Sequence, residues 1–161
     1  MSHGPEWLVA LERSALAVWM RQALWAYPVA EVVHLVGVAL LVGCAAAFDL
    51  RLLGLSGHLS VQHLAVHLLP WAWRGFGLAA VTGTLMFAAH ASDWWQNPVF
   101  PVKMGLVALG GVNVWVFRRG AYRSVARWDR GAPPPAARVA GAVSLAVWLA
   151  TVACGRLLAY L

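Results

Sequence analysis

Four apolar stretches, each about 20 residues long, determine what this chain can fold into. They cover residues 28–48, 73–91, 98–117 and 139–158. Hydrophobic residues make up 61% of the 161 residues and charged residues only 11%, whereas a soluble domain carries roughly a quarter charged residues. A single segment that crosses hydrocarbon must satisfy its own backbone hydrogen bonds, as an α-helix does. The sequence therefore predicts an all-α integral membrane four-helix bundle, with residues 1–161 forming one domain.

Two further stretches are amphipathic. Residues 6–26 place Glu12 and Arg21 among Leu and Trp, and residues 60–70 place His63 among Val and Leu. Helices of this composition lie along the membrane interface with the apolar face toward the lipid. We therefore expect an N-terminal amphipathic surface helix and a short surface helix before the second span.

The basic residues are concentrated in one loop. Six of the twelve Lys and Arg residues fall in the stretch from Arg118 to Arg138. Short basic loops stay on the cytoplasmic side of a membrane, so this loop is predicted to be cytoplasmic and both termini to lie outside. Because the charge follows the topology rule, it does not indicate nucleic-acid binding.

Ionisable side chains from all four predicted spans lie at similar depths near the outer surface. At about 1.5 Å of rise per residue, each lies within about 10 Å of the outer end of its helix. They are Glu31, His34, His90, Lys103 and Arg156. Ionisable residues are costly in hydrocarbon and commonly functional, so this layer is the predicted functional site.

The layer predicts a heme b site. Heme iron takes imidazole nitrogen, and the heme propionates need cationic partners near the membrane surface. His34 is the predicted axial ligand, with His90 or Lys103 completing the coordination and Lys103 or Arg156 binding a propionate. Glu31 and Lys103 are the predicted catalytic residues, Glu31 as a proton relay one turn before His34. The alternative for His34 is an imidazole that simply hydrogen-bonds to a neighbouring helix.

A second group of metal-binding candidates lies on the predicted cytoplasmic side. His63 and His67 have the i, i+4 spacing that can hold a metal on one helix face. A second heme with His67 as a ligand is therefore one hypothesis, and a solvated polar face is the other. For copper, the internal soft ligands are Met20, Met86 and Met104, without a Met-x-x-Met or Cys-x-x-Cys motif.

Short segments between Pro28 and Arg119 carry a family resemblance. They are His34-Leu-Val-Gly-Val-Ala-Leu-Leu-Val-Gly43, Asp49-Leu-Arg-Leu-Leu-Gly54, Phe76 through Thr82-Gly-Thr-Leu, and Phe100-Pro-Val-Lys-Met-Gly-Leu-Val-Ala-Leu109. They resemble the CopD-type superfamily of small four-helix bacterial membrane proteins, in its uncharacterised bacterial branch. That superfamily is similar to the heme-binding membrane protoporphyrinogen oxidase. The resemblance implies heme, electron transfer or copper handling, and it matches His34 and Lys103 to that oxidase's first-helix His and third-helix Lys.

Three hypotheses of function follow. The leading one is a b-type heme membrane protein, with one or two hemes, that transfers electrons across or at the outer face of the membrane. It would act as a heme-dependent oxidoreductase with a quinone or a redox protein as partner. The second is a copper-handling or small-solute membrane protein. The third is a non-catalytic accessory or anchor subunit of a larger membrane complex, or a homo-oligomer. Motifs for nucleotide binding, serine hydrolysis and zinc proteolysis do not occur in the sequence.

Overall fold

The computed structural model describes residues 5–158 and residue 160, and every regular element within them is a helix. Residues 1–4, 159 and 161, which the single-domain prediction includes, lie outside the described residues. The elements are α1 (Glu6–Glu12), α2 (Ala15–Gln22), α3 (Ala26–Leu52), α4 (Val61–Ala89), α5 (Ala91–Gln96), α6 (Val99–Arg119), a 3-10 helix (Ala121–Arg127) and α7 (Pro135–Leu157). Helices α3, α4, α6 and α7 are long and apolar enough to cross a membrane. The prediction of an all-α four-helix membrane bundle is confirmed.

The amphipathic stretches differ in detail from their prediction. Residues 60–70 do not form a separate surface helix, because α4 starts at Val61 and continues through Pro70 into the second span. A proline inside a helix removes one backbone hydrogen bond, and here the turns on both sides of it continue without a break. The N-terminal stretch forms two helices instead of one. Ser14 separates them, and its hydroxyl accepts a hydrogen bond from the backbone N–H of Ala17 at the start of α2.

Helix α3 lies at the centre of the bundle. It packs along α4 on one side and along α7 on the other, and α6 packs on the far side of α7. Within the described residues, α4 and α6 make no close backbone contact. The four spans therefore form an incomplete ring that is open between α4 and α6.

One end of the bundle carries two loops, residues 53–60 and the arginine-rich residues 120–134. It is called the basic end here. A buried arginine, Arg51, holds its loops together. Its guanidinium donates to four backbone carbonyls, those of Gly57, Leu59, Asp129 and Gly131, at 2.8 to 3.2 Å. Because α3 extends to Leu52, Arg51 belongs to the helix and reaches from it into both loops.

Asp129 joins the same two loops through its side chain. Its carboxylate accepts hydrogen bonds from the backbone N–H of Gln62 at 2.8 Å and from the hydroxyl of Ser60 at 3.0 Å. The Ser60 hydroxyl in turn accepts from the backbone N–H of His63, so it caps the start of α4. The hydrogen bond from Gln62 is the main reason that the pKa of Asp129 is held below its ordinary value of 3.8.

Helices α1, α2 and α5 cover the opposite end, called the α5 end here. Arg21 on α2 donates to the carbonyl of Ala89 at the end of α4 at 2.7 Å. The Glu12 carboxylate accepts from the backbone N–H of Ser92 in the first turn of α5 at 2.7 Å. These contacts fix the short N-terminal helices across the end of the second span.

The outward faces of the spans are apolar. Val66, Val112 and Leu149 expose 56 to 75% of their surface. Such large exposed apolar faces are stable where lipid covers them. The chain is a multi-pass membrane protein.

Candidate functional site

His34 lies in the interface between α3 and α4, half-buried in the half of the bundle nearer the α5 end. Its Nδ1 is 2.9 Å from the carbonyl oxygen of Ala79 and 3.2 Å from the Thr82 hydroxyl oxygen. Because a carbonyl only accepts hydrogen bonds, Nδ1 carries a proton, and in the neutral ring Nε2 then keeps its lone pair. Gly83 makes room for the ring, since a Cβ built there would lie 3.1 Å from His34 Cε1.

Two charged residues of the predicted layer lie within electrostatic range of His34. Lys103 is half-buried on α6 and lies against α7, where its Nζ would be 3.4 Å from a Cβ built on Gly155. Glu31 is exposed on the outer surface of α3. Both residues lie within the distance at which a charge can influence the ring of His34. The structure therefore brings His34 and Lys103 into one layer and leaves Glu31 at its lipid-facing edge.

His90 and Arg156 lie apart from His34. The His90 ring packs edge-on against Tyr27, with 5.5 Å between ring centres, and its Nδ1 is 3.7 Å from the Asp93 carboxylate. Tyr27 precedes His34 on α3 by seven residues, which is about 10 Å along the helix axis. Arg156 is exposed and lies over the ring of Tyr160 on its own side of the bundle, 4.7 Å from the ring centre.

The two histidines of α4 near the basic end, His63 and His67, lie on its surface. His63 and His67 are both exposed. Within residues 5–158 and residue 160, no three His, Cys, Asp or Glu side chains come together in a group that could hold a metal ion. The second heme and the copper site stay predictions without a ligand cluster in the described part of the chain.

An apolar cavity of about 420 Å³ lies between the four spans in the half nearer the basic end. It falls in the size range of small-molecule binding sites, roughly 300 to 1,000 Å³. Its walls include both α4 and α6, whose backbones make no close contact within the described residues, so it is open toward the bilayer between them. The lining includes Leu41 and Asp49 from α3, Phe76 from α4, Asn113 from α6, and Ser144 and Trp148 from α7.

The carboxyl group of Asp49 is the most unusual feature of this cavity. The residue is 5% exposed, and its Oδ2 has no hydrogen-bond partner within the described residues. The Ser144 hydroxyl of α7 lies beside the same carboxyl group. Almost all buried polar atoms in proteins are hydrogen-bonded, so an exception requires an explanation.

Sequence reasoning did not find Asp49 as a site residue. The first apolar stretch ends at Phe48, so the sequence predicts that Asp49 lies in the segment that connects the first two spans. In the structure, the last turn of α3 continues past it to Leu52 and places it against α7. A Cβ built on Gly141 of α7 would lie 3.0 Å from the carbonyl oxygen of Asp49. The one signal in the sequence is an acidic residue directly after a span, which by itself is ordinary.

Comparisons of the chain with protein-family models, with curated proteins and with solved structures find no match. The CopD-type resemblance therefore stays a prediction. The function has to be argued from the geometry of the two sites, the His34 layer and the cavity at Asp49.

Proposed function

We propose that this membrane protein binds a small lipid-soluble molecule in the cavity between its four spans. The observation that carries the proposal is the buried, unpartnered carboxyl oxygen of Asp49 in a mostly apolar chamber. Small-molecule sites have this composition, a mostly apolar wall with a few polar groups that orient the ligand. A bound molecule would supply the missing hydrogen bond.

The route into the cavity supports a ligand that dissolves in the membrane. The opening lies between α4 and α6, where exposed apolar residues such as Trp73 face the bilayer. Toward the α5 end, the rings of Phe87 and Phe100 stack at 5.1 Å and join α4 to α6 across the gap. At the basic end, Tyr122 closes the wall. A water-soluble ligand would have to cross these aromatic side chains, whereas a lipid-soluble one enters from the side.

We also propose that the basic end faces the cytoplasm in a bacterial inner membrane. The support is the cluster of six arginines from Arg118 to Arg138, which the positive-inside rule places on the cytoplasmic side. The cavity would then lie in the inner half of the bilayer, and the His34 layer in the outer half.

A variant that fills the cavity tests the proposal. Gly111 lines the cavity, and a Cβ built on it meets no atom within 4 Å, so Gly111→Phe projects a ring into free space. Gly105 is equally unobstructed on the same helix but does not line the cavity, so Gly105→Phe is the matched control. The measurement is mass spectrometry of organic extracts from protein purified in lipid nanodiscs.

We expect wild-type protein and the Gly105→Phe variant to carry the same lipid-soluble compound, enriched over empty nanodiscs. The Gly111→Phe variant should have lost it. Identical extracts from all three proteins would show that the cavity holds no such ligand and would overturn the proposal.

A b-type heme at His34, as part of an electron-transfer protein, is the second candidate. It is favoured by the hydrogen bond from Nδ1 to Ala79, which leaves Nε2 free in the way typical of a metal-ligating histidine. The surroundings of His34 give less support to a bound heme. His34 lines neither the cavity at Asp49 nor the shallow groove beside α2, and His90 lies about 10 Å further along the bundle. The described residues fit one axial ligand, and neither of these two cavities places space for a porphyrin beside it.

An absorption spectrum tests this second candidate. A heme held by His34 gives the purified protein a Soret band that shifts on reduction, and His34→Ala removes it while His67→Ala, a change at an exposed histidine of α4, does not. A colourless protein that takes up no hemin on reconstitution would end the heme hypothesis.

A further inference from the structure

We infer that the ligand of this cavity has an apolar body with a hydrogen-bond donor, a hydroxyl or an ammonium group, and that Asp49 binds this donor. The inference rests on the proposed function and adds the chemical class of the ligand. It follows from the balance of donors and acceptors around the chamber.

Acceptors are in excess at the polar part of the wall. Asp49 Oδ2 is buried and without a partner. The side-chain amide of Asn113 donates one N–H to the carbonyl of Ala140 at 3.0 Å, which leaves its second N–H and its oxygen available. Ser144 has a single O–H to give. A ligand that brings a donor satisfies the ionised carboxylate of Asp49, whereas a ligand with acceptors alone leaves that carboxylate oxygen unpaired.

The cations of the region are not placed to receive an acidic ligand beside Asp49. Nε and Nη2 of Arg51 donate to four loop carbonyls, its Nη1 is buried without a partner within the described residues, and Arg51 does not line the cavity. Arg118 does line it, but it is an exposed residue at the rim. A carboxylate or phosphate at the depth of Asp49 would therefore bring acceptor oxygens against an acceptor, and the exposed Arg118 is the one cation among the described residues that line the cavity.

The other walls of the cavity are apolar, so the body of the ligand should be apolar too. Leu41, Phe76, Val107 and Trp148 form apolar walls on all four spans. A hydrocarbon chain or ring system extending from Asp49 toward the gap between α4 and α6 covers these walls and ends in lipid. Lipid-soluble alcohols, quinol-type phenols and long-chain amines share this design, an apolar body with one donating head.

Photoaffinity labelling with competition separates these possibilities. The probe is dodecanol carrying a diazirine at the end of its chain, added to the protein in lipid nanodiscs. Peptide mass spectrometry locates the crosslinks, and three unlabelled compounds of equal chain length compete: dodecanol, dodecylamine and dodecyl methyl ether. The ether accepts a hydrogen bond but donates none.

We expect crosslinks on the cavity walls formed by α4 and α6. Dodecanol or dodecylamine should displace the probe at a concentration at least about tenfold lower than the ether, the factor expected from one hydrogen bond to a buried group. Asp49→Leu should remove this preference. The comparison of alcohol with amine shows whether the head is neutral or cationic.

The possible failures are distinct. If the ether competes as well as the alcohol and the amine while the cavity is still labelled, the donor inference is wrong and the binding cavity stands. If the cavity is not labelled above the level in Gly111→Phe, the proposed function fails too. The head-group comparison is made on the wild-type chain, so it does not depend on whether Asp49→Leu folds.

Discussion

Gly37 on α3 and Gly75 on α4 pack backbone against backbone. A Cβ built on Gly37 would lie 2.8 Å from the carbonyl oxygen of Gly75, and one built on Gly75 would lie 2.7 Å from the carbonyl oxygen of Gly37. Small residues let membrane helices approach this closely, and packing supplies much of their association. The pair fixes the crossing on which both sites depend, because His34 lies one turn before Gly37 and the cavity lies beyond it along α3.

We expect Gly75→Ala to lower the free energy of unfolding by about 1 to 3 kcal/mol, the usual cost of forcing an extra methyl group into a packed interface. Gly77→Ala is the matched control on the same helix, since a Cβ there meets no atom within 4 Å. It should be neutral or slightly stabilising, because Ala favours a helix more than Gly does. Reversible unfolding by sodium dodecyl sulfate in mixed micelles measures both. Equal losses in the two variants would contradict this account of the crossing.

Glycines in apolar stretches allow membrane helices to approach closely, but the sequence does not select which glycines do so. Gly37, Gly75 and Gly110 make close contacts, Gly110 against the ring of Trp148, whereas Gly43 and Gly105 meet nothing. All lie within apolar stretches, so composition does not distinguish them. The rotation of each helix about its axis decides the outcome, and in uniformly apolar helices that rotation leaves a weak trace in the sequence.

His34 should stabilise the pairing of α3 and α4 through its hydrogen bond to the carbonyl of Ala79. We expect His34→Ala to reduce the free energy of unfolding by roughly 1 kcal/mol, in the range measured for hydrogen bonds between membrane helices. His67→Ala removes an exposed imidazole from α4 and should change the stability little. The same unfolding assay compares them. A His34→Ala variant as stable as wild type would mean that this hydrogen bond contributes nothing measurable.

Asp129 makes the basic end sensitive to acid. Its pKa is lowered in the folded protein, mainly by the hydrogen bond from Gln62, so the stability that it contributes is complete above its ordinary pKa of 3.8. That contribution is lost as the pH falls through the lower pKa of the folded state. Asp129→Asn keeps the shape and removes the charge. Asp129→Asn should have a lower free energy of unfolding than wild type at neutral pH, and the difference should disappear in strong acid. A difference that does not depend on pH would contradict this role.

Arg51 should be essential for the order of the two loops at the basic end. Replacing it by Met removes a buried guanidinium and leaves four carbonyls without their donor, so we expect a loss of about 3 kcal/mol or more. Arg51→Lys should retain only part of the lost stability, because a single ammonium group cannot reach all the carbonyls that the planar guanidinium reaches. Arg123→Met, at an exposed arginine, is the control. Rates of limited proteolysis within residues 53–60 and 129–134 report the effect directly.

The two sites differ in how far the sequence could predict them. His34 and Lys103 were predicted because an ionisable residue inside an apolar stretch stands out, and counting along helices gave their shared depth. Asp49 and Arg51 follow the last apolar residues and look like the start of a loop. Their roles depend on the extension of α3 and on partners far along the chain, such as Asp129 and Ser144, which only the folded arrangement brings close.

Asp49 should lower the stability of the ligand-free protein, because its buried carboxyl oxygen lacks a partner there. Leu has a similar shape and no polar atom, so we expect Asp49→Leu to raise the free energy of unfolding by about 1 to 3 kcal/mol, the cost of an unsatisfied buried polar group. The same variant should bind the donor-bearing ligand more weakly, the trade of stability against function that is common at binding sites. Asp49→Asn keeps a polar group at this position and should gain much less stability. Unfolding in delipidated micelles measures the gain in stability. If Asp49→Leu is instead less stable than wild type, the carboxyl group is hydrogen-bonded within the ligand-free fold.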